Sequence, residues 1–270
     1  MLAEIKIGCI GGGNMAEAII KGLLAGAVRP ENITVAEPVE ERRVYLSETY
    51  GIGTTEDNSC AVSFGEVIIL AVKPQVCVKA LRALAGDIST GKLFISIMAG
   101  VKTKTIEAAL PKGVRVVRVM PNTPALVLAA ASAISPGANA TSNDVALSLD
   151  IFKLLGTACT VEEKLLDAVT GLSGSGPAYV FTFIEALADA GVKNGLPRDI
   201  AAQLAAQTVY GSAKLLLETR EHPALLREKV TSPGGTTIAG LHVLEQEGFR
   251  GTIMSAVDTA TARSAELGKD

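Results

Sequence analysis

The chain has 270 residues, and 48% of them are hydrophobic in type, which predicts about two domains with a sizeable buried core. A formal net charge of -3, with 25 lysines and arginines scattered along the chain, argues against nucleic acid as a partner. Because there are only two histidines, and the four cysteines never form Cys-x-x-Cys, we expect no metal site and no histidine-based triad, and we expect buried cysteines.

The N-terminal residues do not resemble a signal peptide, since they lack its charged lead and its apolar segment. The longest nearly apolar run, residues 124–135, is too short to span a bilayer. We therefore expect a cytoplasmic protein that does not enter a membrane.

A glycine-rich turn joins the first predicted strand, residues 4–10, to the first predicted helix. Gly11-x-Gly13-x-x-Ala16 matches the dinucleotide-binding fingerprint, in which glycines allow a tight turn and let a pyrophosphate approach the helix N-terminus. A second strand candidate, residues 32–36, follows at the spacing that the fingerprint requires. The pattern predicts nucleotide binding, although a glycine turn needed only for close packing is the alternative.

The second strand candidate ends at an acid, Glu37. A carboxylate here accepts hydrogen bonds from a ribose 2′-hydroxyl and repels a 2′-phosphate, which favours NADH. Arg42 and Arg43 lie close by in the sequence and could instead neutralise a phosphate, or all three residues could be ordinary solvated ones. NADH and NADPH therefore both remain candidate cofactors, with a lean toward NADH.

Three apolar runs, residues 67–72, 93–97 and 114–119, are typical of buried parallel strands, and each breaks into a loop at the same predicted edge. Cofactors bind at the carboxyl ends of such strands. We expect the following residues of these loops, and of the loop before residue 67, near the cofactor: Asn58, Lys73, Pro74, Met98, Ala99 and Gly100.

Strand and helix patterns alternate to about residue 160, with helices predicted over 76–84, 103–110 and 145–155 and strands over 126–134 and 157–161. This order predicts an α/β fold with a doubly wound, Rossmann-type parallel sheet in residues 1–161. No convincing strand pattern follows, and glycines and prolines separate a series of helices. Residues 162–270 are therefore predicted to form an all-helical domain.

The predicted helix over residues 177–193 is apolar on nearly every face. Such a helix must be buried all round, which a helical domain of this size can hardly achieve alone. We infer that helices from two chains pack together in a homodimer. One tightly packed helical domain is the alternative.

The segment 230–237 places Pro233 and two glycines ahead of two threonines at the start of a predicted helix. Such a loop offers backbone N–H groups and hydroxyls to a small carboxylate, although an ordinary helix start has the same residues. The interpretation that we favour is a substrate-binding loop.

Several segments together, in this order and spacing, closely resemble pyrroline-5-carboxylate reductases along essentially the whole chain. They are the glycine turn and residues 71–75, 120–124, 172–179, 191–198, 232–237 and 248–250. The resemblance implies hydride transfer from a reduced nicotinamide to the C=N carbon of 1-pyrroline-5-carboxylate, giving L-proline in the last step of proline biosynthesis. It also implies that the helical domain forms an interwoven dimer, often the unit of a decamer.

The resemblance also implies roles for individual residues. Those that line the cofactor would be Gly11, Gly12, Gly13, Asn14, Met15, Ala16, Asn58, Ala71, Val72, Lys73, Pro74, Met98, Ala99 and Gly100. Those that hold the substrate would be Ser232, Gly234, Gly235, Thr236 and Thr237. Glu37 departs from the Ser, Thr or Arg frequent at its position in the family, which leaves the cofactor preference in doubt.

Thr237 is the predicted catalytic residue, because its hydroxyl can bond the ring nitrogen, and no histidine or metal is required. Its alternative role is a helix cap. Glu163 matches a position near the active-site mouth of the family, or it stabilises its own helix. The rival functions are a related dehydrogenase or imine reductase acting on another small acid, a nucleotide-binding sensor without turnover and, more distantly, a methyltransferase.

Overall fold

The computed structural model describes residues 2–26, 28–84, 86 and 88–268. The chain forms two compact units, Met1–Ser175 with Thr259–Asp270, and Gly176–Asp258. This division by compactness falls after Ser175, whereas the boundary predicted at residue 161 concerns ligand binding and stays a prediction.

The first unit is built on an eight-stranded sheet of order β3-β2-β1-β4-β5-β6-β7-β8. The strands are β1 (Ile7–Ile10), β2 (Ile33–Ala36), β3 (Gly53–Thr55), β4 (Val67–Leu70), β5 (Leu93–Ser96), β6 (Arg115–Met120), β7 (Ala130–Pro136) and β8 (Gly156–Thr160). All neighbouring pairs are parallel except β6 with β7. The strand order reverses between β1 and β4, which is where doubly wound sheets bind their ligands.

Helices cover both faces of this sheet, as the alternating pattern predicts. They are α1 (Asn14–Ala25), α2 (Glu40–Tyr50), α3 (Asn58–Phe64), α4 (Pro74–Leu84), α5 (Thr103–Ala108), α6 (Ser142–Lys153) and α7 (Leu166–Val169). Successive strand residues enter different cores: Ile69 packs in the core that includes α1 and α6 residues, whereas Ile68 and Leu70 pack in the core that includes α3, α4 and α5 residues.

Two predictions for the sheet need correction. The strand predicted over 126–134 begins only at Ala130, because Thr123–Val127 form a 3-10 helix that reverses the chain, so that β7 runs antiparallel to β6. β3 was not predicted, since its three residues, a glycine and two threonines, are too few to show a strand pattern.

The cysteines do not all behave as expected. Cys9 is fully buried, and burial raises the pKa of its thiol to about 12, in agreement with a structural role. Cys60 and Cys159 are exposed, so the prediction that they are buried is wrong. The side chain of Cys77 lies outside the described residues.

The second unit is helical. Its elements are α8 (Gly176–Lys193), α9 (Arg198–Thr219), α10 (Pro223–Lys229), α11 (Thr236–Gln246) and α12 (Phe249–Leu267), the last of which contributes residues to both units. The described part of the chain contains no strand after β8, as predicted. None of its helices is long and apolar enough to cross a membrane.

Helix α8 is not buried all round within one chain. Ala188 is its one buried residue among those described, and the Phe181 side chain is 64% exposed. On another part of the helix, Tyr179 donates a hydrogen bond to the carbonyl of Ala256, and the rings of Phe183 and Phe249 lie 6.0 Å apart. One side of α8 thus packs within the unit, and a second apolar side remains uncovered.

Candidate active site

Gly11 follows β1 directly and holds the glycine turn close to the neighbouring strands. Its N–H donates to the carbonyl of Ala36 at 2.8 Å, its φ is +97°, and a Cβ would lie 2.7 Å from the carbonyl oxygen of Ala71. A side chain is excluded both by this backbone conformation and by the contact, so glycine is required.

Gly13 leaves the N-terminus of α1 open. It is the N-cap of the helix, it has no side chain to cap the first N–H groups, and nothing lies within 4 Å of the position that a Cβ would take. Gly13 and Asn14 are exposed, whereas Ala16 is buried against the core. A helix start with open N–H groups and a positive dipole end suits a phosphate, so this turn fits the pyrophosphate of a dinucleotide.

Glu37 is held beside this turn rather than turned out to solvent. Its carboxylate accepts a hydrogen bond from the N–H of Gly12 at 2.8 Å and one from the N–H of Val39 at 3.1 Å. The alternative interpretation of Glu37 as a free, solvated turn residue does not match these bonds. The acid lies where the ribose of a dinucleotide is expected.

A cavity of about 320 Å³ lies within the first unit at the loops that follow β4, β5 and β6. Six of the predicted cofactor residues line it: Met15, Ala71, Val72, Pro74, Met98 and Ala99. Six residues that were not predicted complete the lining: Ile97, Met120, Pro121, Asn122, Thr123 and Gly174. Four of these six, Met120 to Thr123, follow the third apolar run, residues 114–119. The end of that run, at the same edge of the sheet as the loops chosen for the prediction, was the signal that could have found them.

Apart from Glu37 and the remaining residues of the glycine turn, three predicted cofactor residues lie outside this lining. Lys73 is exposed between β4 and α4, and Asn58 is the first residue of α3, half-buried beside the capping residue Asp57. Gly100 is buried, with a φ of +75°. Of the residues predicted in the loops after β4 and β5, all except Lys73 and Gly100 thus line one cavity.

Asn122 and Gly174 shape the cavity wall. The amide of Asn122 donates to the carbonyl of Ser173 at 3.0 Å and accepts from the N–H of Ala131 at 2.9 Å, so that both of its ends are bonded. A Cβ on Gly174 would lie 2.6 Å from the terminal methyl of Met120. Asn122 therefore fixes the wall, and Gly174 leaves room for Met120.

Glu163 serves a helix other than its own. Its carboxylate accepts from the Thr103 backbone N–H at 2.7 Å and from the Thr103 hydroxyl at 2.8 Å, and it pairs with buried Arg118 at 3.3 Å. These bonds cap the start of α5, just after Gly100. Glu163 also lies in the first turn of its own 3-10 helix, Glu163–Leu165, so the alternative that it stabilises this helix stays open.

The predicted substrate residues lie together in the second unit, in the loop between α10 and α11. Gly234 has a φ of +66°, and the N–H of Gly235 donates to the Ser232 carbonyl at 3.1 Å. A Cβ on Gly235 would overlap the Ser232 hydroxyl, so a side chain there would force the Ser232 side chain to move. Both glycines also contribute to the lining of a cavity of about 680 Å³.

Helix α11 begins at Thr236, so Thr237 is its second residue. The N-cap is Gly235, and no side chain caps the helix, so the structure gives Thr237 no capping bond. Thr237 is half-buried and Thr236 is exposed. An uncapped helix start with two hydroxyls suits a small carboxylate. Among the described residues, no group of three or more His, Cys, Asp or Glu could hold a metal ion.

Comparisons with known proteins agree with this geometry. A model of the pyrroline-5-carboxylate reductase dimerisation region matches residues 163–267, and a model described as "NADP oxidoreductase coenzyme F420-dependent" matches residues 6–100. The presence of a dimerisation region indicates that the chain assembles with copies of itself.

Individual relatives match nearly the full length. The pyrroline-5-carboxylate reductase of Methanosarcina acetivorans is 51% identical, over 98% of both chains, and that of Escherichia coli is 43% identical, over 98% of this chain and 99% of the relative. The solved structure from Coxiella burnetii is similar with a TM-score of 0.93 at 37% identity, covering 98% of this chain and 99% of that one. A Plasmodium falciparum structure with NADP bound is similar with a TM-score of 0.88 at 33% identity and the same coverage. This chain therefore belongs to the pyrroline-5-carboxylate reductases, the oxidoreductases that reduce 1-pyrroline-5-carboxylate to proline with NAD(P)H.

Proposed function

We propose that two sets of residues carry the reduction of 1-pyrroline-5-carboxylate to L-proline in this enzyme. The glycine turn and the 320 Å³ cavity of the first unit bind NADPH or NADH, and the loop 232–237 of the second unit binds the substrate. The observation that carries the substrate assignment is the uncapped start of α11, at Thr236 and Thr237. Two glycines precede it: a side chain at Gly234 would strain the backbone, and one at Gly235 would overlap the Ser232 hydroxyl.

The cofactor residues divide according to the chemistry that they offer. The open N-terminus of α1 binds the pyrophosphate, Glu37 lies at the ribose, and Asn58 at the adenosine side. When bound, the reduced nicotinamide supplies the hydride that is added to the C=N carbon. The apolar lining formed by residues such as Val72, Met98 and Met120 excludes water from the site of transfer.

The substrate carboxylate is held at the start of α11. The N–H of Gly235 already bonds to Ser232 within the loop, so Gly235 shapes the loop, and the open N–H groups of Thr236 and Thr237 bind the carboxylate. Such charge-assisted bonds are about twice as strong as neutral ones. The hydroxyls of Ser232 and Thr236 are exposed and add further donors.

Thr237 orients the ring through a hydrogen bond between its hydroxyl and the ring nitrogen. An iminium carbon is already electrophilic, so the enzyme has chiefly to position it for hydride addition. A hydroxyl is sufficient to position the ring nitrogen, so the proposed reaction requires no histidine.

Replacing Thr237 tests this assignment. We expect Thr237→Ala to lower kcat/KM for 1-pyrroline-5-carboxylate about ten- to hundredfold, the effect of removing one hydrogen bond to a charged group. The dissociation constant of the cofactor should not change. Thr252→Ala is the control and should leave kcat/KM unchanged, because the exposed Thr252 hydroxyl bonds to the Gly248 carbonyl outside the substrate-binding loop. Full turnover and substrate affinity in Thr237→Ala would remove Thr237 from the site.

The assembling unit that we propose is a homodimer formed by residues 162–270, with residues 1–161 as the dinucleotide-binding domain. The uncovered apolar side of α8 supports this proposal, since a second chain would bury it. The resemblance to the family extends this proposal to a decamer of such dimers, and the proposed location is the cytoplasm.

A further inference from the structure

Both polar groups of the Gly12 backbone are held by side chains. Its N–H donates to the Glu37 carboxylate at 2.8 Å, and its carbonyl accepts from Nε of Arg42 at 2.6 Å. Gly12 is the middle glycine of the turn, so these bonds fix the orientation of its peptide groups. We call Gly12, Glu37, Arg42 and the residue that holds Arg42, Glu17, the Gly12 clamp.

Glu17 holds the other end of Arg42. A terminal guanidinium nitrogen of Arg42 lies 2.5 Å from Glu17 Oε2, and the side chains are only 24% and 14% exposed. The second carboxylate oxygen of Glu17 accepts from the Tyr50 hydroxyl at 2.6 Å and the Tyr45 hydroxyl at 3.0 Å. Glu17 is thus bonded at both oxygens, and it fixes Arg42 in place.

Arg43 is also occupied by the protein. Its guanidinium donates to the carbonyls of Glu37 at 2.8 Å and Pro38 at 2.9 Å, and it lies 3.8 Å from the Glu56 carboxylate. Arg42 and Arg43 are the two cations that the sequence places after Glu37. Both are therefore engaged at the position where a 2′-phosphate would need a free arginine.

We propose that Glu17 is a positioning residue that makes this enzyme select NADH over NADPH by holding Arg42 in the Gly12 clamp. A 2′-phosphate beside Glu37 would meet that carboxylate and would have to draw Arg42 away from Glu17, whereas a ribose hydroxyl donates to Glu37 without disturbing the clamp. This inference rests on the proposed binding of a dinucleotide at the glycine turn.

The test is the ratio of the NADPH and NADH dissociation constants, measured by calorimetry on the whole protein without substrate. We expect the wild type to bind NADH at least about tenfold more tightly. Glu17→Gln should release Arg42 and shift the ratio toward NADPH by about threefold or more, because a freed guanidinium can pair with the phosphate. Glu4→Gln removes an exposed acid that pairs with Arg29, and as the control for lost negative charge it should leave the ratio unchanged.

Arg42→Met tests the same inference independently of Glu17. Because Arg42 is not a phosphate ligand in this account, its loss should weaken the binding of both cofactors and change the ratio by less than about twofold. A selective loss of NADPH binding in Arg42→Met, or an unchanged ratio in Glu17→Gln, would overturn the proposal and leave the proposed function intact. Failure of the wild type to bind either cofactor would contradict both.

Discussion

At the scale of single residues, the Glu17 carboxylate holds Arg42 against the glycine turn, and this contribution to stability depends on pH. Its burial alone would raise the pKa of the carboxyl, but hydrogen bonds from Tyr50, Arg42 and Tyr45 outweigh burial and hold the pKa below its ordinary value of 4.5. A group whose pKa is lowered on folding stabilises the fold above its unfolded pKa, and this contribution is lost as the pH falls through the folded value.

Glu17→Gln should therefore be less stable than the wild type at neutral pH, and the difference in the free energy of unfolding should shrink as the pH falls below 4.5. Urea denaturation at a series of pH values measures this difference, with Glu4→Gln as the control for the loss of one acid. A difference that stays constant down to the lowest pH would show that the charge of Glu17 does not stabilise the fold.

The residue types of the glycine turn could be predicted from the sequence, but the bonds of the Gly12 clamp could not. The fingerprint specifies Gly11, Gly13 and Ala16 because of their small size. The bond from Gly12 to Glu37 depends on the parallel register of β1 and β2, which pairs Ile10 with Ala36. No local pattern encodes such a register.

At the scale of secondary-structure elements, the π-helical turn Thr170–Gly174 forms part of the 320 Å³ cavity, the proposed cofactor site, through its last residue. The Asn122 side chain holds this turn through Ser173, and the Gly174 backbone leaves room for Met120. π-helical turns are rare in proteins, and those that occur are often found at functional sites. The position of this turn therefore supports the proposal that the cofactor contacts this wall of the cavity.

Gly174→Ala should weaken cofactor binding without unfolding the protein. The added methyl would lie 2.6 Å from the end of the Met120 side chain, which is flexible and would move into the cavity. We expect the dissociation constant of NADH to rise about fivefold or more, since an added methyl group in a packed core costs about 1 kcal/mol or more. Gly91→Ala is the control, since nothing lies within 4 Å of its Cβ position. Equal binding by both variants would mean that the cofactor does not contact this wall.

Element order could be predicted because buried parallel strands are continuous apolar runs, as β4 and β5 are. The direction of β7 could not, since it follows from the reversal made by the 3-10 helix Thr123–Val127. The loop around Asn122 contains Pro, Asn and Thr, which are ordinary turn residues, so its place in the cavity wall was visible only once the strands were assembled.

At the scale of the whole molecule, the helical unit exposes more apolar side chains than a chain that acts alone should. Phe181, Leu204, Tyr210 and Leu217 are all more than half exposed in a single chain. The sequence predicted such a surplus from the apolar character of α8, and the structure locates it on helices of the dimerisation region. Exposed large apolar side chains in such numbers are typical of subunit interfaces.

Light scattering of the purified protein should give at least twice the 27.8 kDa of one chain at micromolar concentration. Phe181→Glu should lower this mass, because it would place an unpaired carboxylate in the interface. Lys112→Glu, which changes an exposed residue of the first unit, should not lower it. A monomeric wild type would contradict the proposed dimer.

The central claim is that this chain reduces 1-pyrroline-5-carboxylate with residues of the loop 232–237. The most direct test follows the absorbance of the reduced nicotinamide in the presence of this substrate, with NADH and NADPH in parallel and with Thr237→Ala beside the wild type. The account predicts rapid oxidation with L-proline as product, and a loss of about ten- to hundredfold in kcat/KM in the variant. Cofactor binding without oxidation of either cofactor would contradict it.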